Sequence, residues 1–305
     1  MQELKQLEHT LNTLIVGKPH QLRLALVCLL ASGHLLLEDL PGTGKTTLAK
    51  SLAILTGLAN NRVQFTADML PADITGALIY QPATQKFSLQ RGPIFTNILL
   101  ADEINRASPK CQSALLEAMA EHQVSIEGKT LPLERPFFVI ATQNPTEQYG
   151  TYPLPESQLD RFLFRLSLGY MDAKSEITVL AGEDRQRLLE DLRPLIGQSD
   201  LLYHQNNCQD ITVSPAIAKY VQALLQQSRQ SQDFIHGLST RAGVLLVRAA
   251  QAFAYLAEEK AVYPEHIQAV FPAVATHRLV PKSGDSPETR EHLLRNLLDK
   301  TVIAL

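Results

Sequence analysis

The apolar run Leu35-Leu36-Leu37 leads into Pro41-Gly42-Thr43-Gly44-Lys45-Thr46-Thr47, and that loop leads into Leu48-Ala49-Lys50. The order reads as strand, glycine loop, helix, which commits this part of the chain to an α/β fold. Glycines let backbone N–H groups turn inward around phosphate oxygens, and the helix N-terminus adds partial positive charge. Lys45 can reach β- and γ-phosphates, and the Thr46 hydroxyl can ligate Mg²⁺. The full pattern opens with a glycine where this chain has Asp39. A chance turn of the same composition stays open until a second element is found.

The second element is Ile98-Leu99-Leu100-Ala101-Asp102-Glu103, an apolar strand ending in two carboxylates. Alone it is a common solvated strand end. Downstream of a phosphate loop it is what Mg-nucleotide hydrolysis requires. Asp102 can hold the metal through water, and Glu103 can orient and deprotonate the attacking water. The two elements together point to nucleotide binding.

A chain of 305 residues suits one large domain or one domain with a smaller companion. Its net charge of −3 gives no general pull toward nucleic acid or anionic membrane, and there is no long basic run. Cys28, Cys111 and Cys208 are scattered without a ligand pattern, so they read as buried free thiols in a reducing compartment. Leu22 to Leu37 is mostly apolar, but Arg23, Ser32-Gly33 and His34 interrupt it and it is shorter than the roughly 20 residues of a membrane span. With a polar N-terminus and no signal pattern, the expectation is a cytoplasmic protein with no membrane span.

Leu4, Leu7, Leu11, Leu14 and Ile15 recur at helical spacing, predicting an amphipathic helix that ends at Gly17. A second helix is expected over about 19–31, the phosphate-loop helix from Lys45 to about Leu55, and a short strand over 62–65. From Thr66 to Asn97 the periodicity fades, with short strands near 78–80 and 86–89, as in a long insertion between core strands. Ser108-Pro109 is a helix start, 124–133 reads as a hairpin about Glu127-Gly128-Lys129, and Phe137–Ala141 is a buried strand. A short helix near 156–160 and a strand over 162–168 follow. Beyond Asp172 only helices are expected, at about 172–193, 215–228, 240–258 and 264–271.

Several polar residues fall at positions where either a structural or a functional reading fits. Asn144 follows a buried strand and can face the ligand crevice, or it can belong to an Asn-Pro turn. Arg161, at a helix end, is either a solvated charge or an arginine finger for a neighbour's nucleotide, a contact worth about 10³–10⁵ in rate. Arg241, at a helix start, opposes the helix dipole, which suggests a partner anion: a local carboxylate or a nucleotide phosphate. Arg106 lies near Glu103 with its role open.

In this order the pieces resemble the MoxR family of AAA+ ATPases, over nearly the whole chain. Residues 37–46 are similar to its Walker A and residues 99–107 to its extended Walker B. Residues 64–76 and Gly92-Pro93-Ile94-Phe95 resemble its helix-2 insert region. Residues 141–145 resemble sensor 1, residues 154–162 the arginine-finger segment, and residues 237–242 sensor 2. The resemblance implies an α/β fold: an AAA+ αβα nucleotide-binding domain with a five-stranded parallel sheet at 1–170, then a small helical lid domain at 171–305. It implies ATP and Mg²⁺, with Pro41, Gly42, Thr43, Gly44, Lys45, Thr46 and Thr47 at the phosphates and Thr46 and Asp102 at the metal. Glu103, Asn144, Arg161 and Lys45 become the catalytic set, with Arg161 acting in trans and Arg241 contacting phosphate in cis or in trans. Val16 and Gly17 fall where such proteins contact adenine through the backbone, although a helix-ending turn explains them equally well.

Such a protein is expected to form a homo-oligomer, a hexameric ring, and to remodel, mature or activate protein clients, among them proteins with von Willebrand factor A domains. A DNA-acting motor and a nucleotide-switched scaffold with little hydrolysis are the rival readings, and a subunit of a metal-chelatase-type complex is a sibling of the main one. Net charge opposes the first, and the Glu103, Asn144 and Arg161 set opposes the second. No Asn-Lys-x-Asp sequence supports a GTPase.

Overall fold

The structure, a computed structural model, describes residues 1–39, 42–144, 150–181, 185–282, 284 and 286–302. Two helices, α1 (Gln2–Leu14) and α2 (Pro19–Leu30), precede the first strand, β1 (Leu35–Glu38). The phosphate-loop helix α3 (Lys45–Leu55) leads to β2 (Asn60–Gln64). The insertion holds a short helix, α4 (Pro71–Thr75), and an antiparallel hairpin, β3 (Gly76–Gln81) and β4 (Lys86–Arg91). The chain returns through β5 (Ile98–Asp102), a 3₁₀ turn, α5 (Pro109–Glu121) and a second hairpin, β6 (Gln123–Ile126) with β7 (Lys129–Pro132). Then come β8 (Phe138–Gln143), α6 (Glu156–Leu159) and β9 (Phe164–Leu166). Helices follow: α7 (Ala173–Ala181), α8 (Arg185–Glu190), α9 (Gln198–Gln209), α10 (Pro215–Gln230), α11 (Thr240–Leu256), α12 (Pro264–Ala275) and α13 (Pro287–Lys300).

Five strands form a parallel sheet in the order β2-β5-β8-β1-β9. β5 is buried throughout and β8 nearly so, as strands must be when helices cover both faces of a parallel sheet. Side chains alternate between two cores. Leu35, Leu37, Ile98, Leu100 and Ile140 join α1, α2 and α3, while Leu36, Leu99, Ala101 and Val139 join α5. The first of these cores continues without a break into α9–α12, so α1 and α2 are shared between the sheet and the later helices.

The chain differs from the sequence expectation in a few elements. Within the span 172–193 the described helical residues are those of α7 and α8, with residues 182–184 outside the described residues, and α4, α9 and α13 are additional. β9 is shorter than expected and β2 begins earlier. No helix among the described residues is long and apolar enough to cross a membrane.

Candidate nucleotide site

The sheet brings its chemistry to the carboxyl ends of its central strands. β1, β8 and β5 are consecutive neighbours and run parallel, so the residues that follow them emerge side by side. After β1 comes the glycine loop, after β8 Asn144, and at the end of β5 Asp102-Glu103.

In the loop, Gly42 and Gly44 take φ of 84° and 93°, values that side chains other than glycine's adopt at a cost. A Cβ on Gly42 would meet nothing within 4 Å, so its backbone faces open space. Lys45, Thr46 and Thr47 form the first turn of α3, where amide N–H groups have no partner within the helix. Lys45 Nζ donates to the Asp39 carbonyl at 2.8 Å. Pro41 lies outside the described residues. Asp39, the departure from the glycine pattern, is buried. Its carboxylate accepts from Ser167 Oγ at 2.7 Å, Leu168 N at 2.6 Å and Gly169 N at 2.9 Å. Beside it opens a cleft of about 780 Å³, lined in part by Thr43, Arg165, Tyr170 and Arg290.

Asp102 is 6% exposed. Its Oδ2 takes Arg62 Nε at 2.6 Å and its Oδ1 takes the Thr142 hydroxyl at 3.1 Å. The same Thr142 oxygen accepts from Glu103 N at 2.9 Å, so one hydroxyl fixes both acidic residues. Glu103 sits at φ 56°, in the left-handed region, a strained position of the kind concentrated at functional sites. Its Oε2 receives Gln64 Nε2 at 2.8 Å and Arg106 Nε at 2.9 Å. Arg106, whose role the sequence leaves open, is thus an ion-pair partner of Glu103. Asn144 is buried just past β8.

The contacts of the remaining candidates are as follows. Arg161 donates to the Leu116 carbonyl at 3.1 Å and lines a cavity with Ser113, Glu117 and Glu121 on α5, none of them from the glycine loop. Arg241, in the first turn of α11, places Nε 3.7 Å from Asp160 Oδ2, next in sequence to Arg161. Asp160 is also held by the buried Arg278 at 2.7 Å. The local carboxylate within reach of Arg241 is therefore that of Asp160. Gly17, at φ 80°, abuts Ser175 and Asp172, and Lys18 Nζ reaches the Tyr170 carbonyl at 2.5 Å. The turn at Val16-Gly17 thus packs against the start of α7.

Sequence reasoning missed Arg62, Gln64 and Thr142 as individual contributors. Their signal was available only jointly: each is a polar residue at or near the end of a strand adjoining the acidic pair.

The sequence model of the ATPase family associated with various cellular activities (AAA) matches residues 34–164, and that of the AAA lid domain matches residues 226–297. The uncharacterised protein YeaC of Bacillus subtilis is 46% identical over 276 residues, 90% of this chain and 86% of that protein. Chaperone MoxR1 of Mycobacterium tuberculosis is 39% identical over 277 residues, 88% of this chain and 73% of that protein. A crystal structure from Cytophaga hutchinsonii, provisionally described as an ATPase, superposes with a TM-score of 0.88 at 34% identity, covering 100% of this chain and 96% of the other.

Proposed function

The chain belongs to the MoxR family of AAA+ ATPases, and on that premise we propose that it hydrolyses ATP to remodel, mature or activate partner proteins. The observation that carries this reading is the alignment of the glycine loop, Asn144 and Asp102-Glu103 on three neighbouring strand ends.

In this reading the loop amides from Gly42 to Gly44, which follow Pro41, and the first turn of α3 cradle the phosphates, with Lys45 on the β- and γ-oxygens. Thr46 and Asp102 would hold Mg²⁺. The donors fit, being hard oxygens, and Asp102 already carries a cation, Arg62, in its buried setting. When bound, Mg²⁺ neutralises charge on the phosphate oxygens. Glu103 takes the proton of the attacking water and Asn144 positions that water. Val16 and Gly17 contact adenine through their backbone.

Arg161 donates to α5 and lines a cavity with α5 residues and Gln158 rather than with its own glycine loop, which supports a finger acting on the next subunit of a hexameric ring. Arg241 meets Asp160, Arg161's neighbour in sequence, so it is assigned to the same trans site. The boundary between the ATPase core and the lid is placed near residue 170, supported by the end of the last sheet strand at Leu166. The β3–β4 hairpin exposes Tyr80 and Phe87, packed edge to face at 5.4 Å, and these are offered as a surface for clients. Proteins with von Willebrand factor A domains are the client class expected from the resemblance. Three buried free cysteines suit a cytoplasmic setting.

The test is Glu103→Gln expressed in the source cells. ATP binding should persist while hydrolysis falls by about 10² or more, and specific proteins should co-purify with the ATP-locked form. Unchanged turnover would sink the catalytic assignment. Recovery of salt-resistant nucleic acid instead of protein would favour a DNA motor.

A further inference from the structure

Asp39 stands where the phosphate-loop pattern has glycine, and it is engaged at both ends. Its peptide carbonyl holds the Lys45 ammonium at 2.8 Å. Its carboxylate, 4% exposed, takes one hydroxyl and two backbone N–H groups, all from residues 167–169. A buried carboxylate is costly to keep unless its oxygens are filled, and these three donors fill them. A glycine here would satisfy the loop and leave the amides of Leu168 and Gly169 without that acceptor.

The segment so gripped is the way out of the sheet. It follows β9 directly and continues through Tyr170, whose carbonyl takes Lys18 Nζ at 2.5 Å. It then enters α7, where Asp172 Oδ1 accepts from Ser175 N at 2.9 Å and Asp172 Oδ2 from Ser175 Oγ at 3.0 Å. One connection therefore runs from Lys45 through Asp39 to the chain that leads into the later helices.

We propose that Asp39 is a positioning residue that transmits occupancy of the phosphate loop to residues 167–170, and through them to the helical half of the chain. The proposal rests on the nucleotide-binding reading above. Lys45 cannot serve the Asp39 carbonyl and a phosphate with the same N–H bond, and a phosphate oxygen is the stronger acceptor of a charged donor. Nucleotide phosphate competes for the Lys45 ammonium and weakens its bond to the Asp39 carbonyl, and the carboxylate carries the adjustment to the amides of Leu168 and Gly169.

The experiment is hydrogen exchange on the full chain with and without ADP, for wild type, Asp39→Gly, Asp39→Asn and Ser167→Ala. In wild type, ADP should change exchange both in the first turn of α3 and at 168–170. Asp39→Gly restores the loop pattern's own residue, so it should still bind ADP and respond in α3. Its response at 168–170 should be lost. Asp39→Asn keeps one acceptor oxygen and Ser167→Ala removes one donor, so both should retain a reduced response. A merely structural role would raise exchange at 168–170 equally with and without ADP. The proposal is overturned if Asp39→Gly responds at 168–170 as wild type does, or if it folds but no longer binds ADP. Should Asp39→Gly not fold, a wild-type response in Ser167→Ala overturns it instead. Wild-type protein that binds no ADP would overturn the ATPase reading, and this one with it. Binding with unaltered exchange at 168–170 would overturn this one alone.

Discussion

Gln64 Nε2 lies 2.8 Å from Glu103 Oε2, reaching from the end of β2 past its register partner Asp102. Arg106 Nε donates to the same oxygen at 2.9 Å. With two donors on Oε2, the carboxylate's rotation is fixed and Oε1 is the oxygen that can face a water. Gln64→Ala should therefore lower kcat about tenfold while KM changes little, the signature of lost orientation rather than lost binding. Steady-state ATPase kinetics decide it. An unchanged kcat would mean that Arg106 and the strained backbone at Glu103 orient the carboxylate without help.

Arg161 and Lys45 belong to different active sites in the proposed ring, and subunit mixing separates them. Arg161→Ala alone should bind ATP and turn over about 10³-fold more slowly. Lys45→Ala alone should fail to bind. Mixed rings contain interfaces with an intact loop on one side and an intact finger on the other, so activity should reappear. ATPase assays on mixtures at several ratios check this. Mixtures no more active than the sum of their parts would place Arg161 outside the trans role.

Acid should destabilise the fold through buried histidines. His34 Nδ1 lies 3.1 Å from the Val139 N–H and must accept there, so Nε2 carries the proton and meets the Met119 carbonyl at 3.1 Å. That ring is neutral, and burial lowers its pKa to about 4. Burial first, and Arg278 next, push His277 well below its usual value, and burial also lowers His122 and His204. The unfolded chain takes up protons at these rings near pH 6.5, whereas the native chain takes them up at lower pH, well below it for His34 and His277. Their contribution is complete above pH 6.5 and is lost as pH falls toward 4, by about 3 kcal/mol for His34 alone. Asp68 and Asp172 are held below the usual carboxylate range, by hydrogen bonds from Thr66 and Ser175 respectively, so their losses come at lower pH. Thermal unfolding between pH 7.5 and 4.5 should show Tm falling through this window, and a flat profile would contradict it.

How far the sequence could be read depended on whether a residue's role was local. The glycine loop, the acidic strand end and the serine helix starts are written in consecutive residues, and Ser108, Ser214 and Ser239 do cap α5, α10 and α11. α9 was not legible, because its buried side includes His204 and Gln205. Gln205 is inside because its amide meets the Leu29 carbonyl at 2.7 Å, a contact set by tertiary packing. Asp39 read as a small departure from a pattern, since its donors are more than a hundred residues away in sequence. Arg241 read equally well toward a phosphate or a carboxylate, and which carboxylate lies within its reach, Asp160, is visible only once the chain is folded.

The base of the β3–β4 hairpin is closed by two glycines whose backbones touch. A Cβ on Gly76 would lie 2.1 Å from the Gln90 carbonyl oxygen and 2.6 Å from Gly92 N, and one on Gly92 would lie 2.2 Å from the Ile74 carbonyl oxygen. These obstacles are backbone atoms and cannot swing aside as a side chain would. Gly76 also has φ 89°, which adds conformational strain to any replacement. Gly128, at the tip of the β6–β7 hairpin, supplies the control: its φ is 76°, yet a Cβ there would meet nothing within 4 Å. Gly128→Ala should cost about 1 kcal/mol, the backbone penalty alone. Gly76→Ala should cost about 2 kcal/mol or more, open the β3–β4 pair and expose its strands to protease. Denaturant unfolding of both variants, with limited proteolysis to locate the opening, separates strain from contact. Equal losses in the two would mean that φ alone matters and that the hairpin is not held at its base by the Gly76–Gly92 approach.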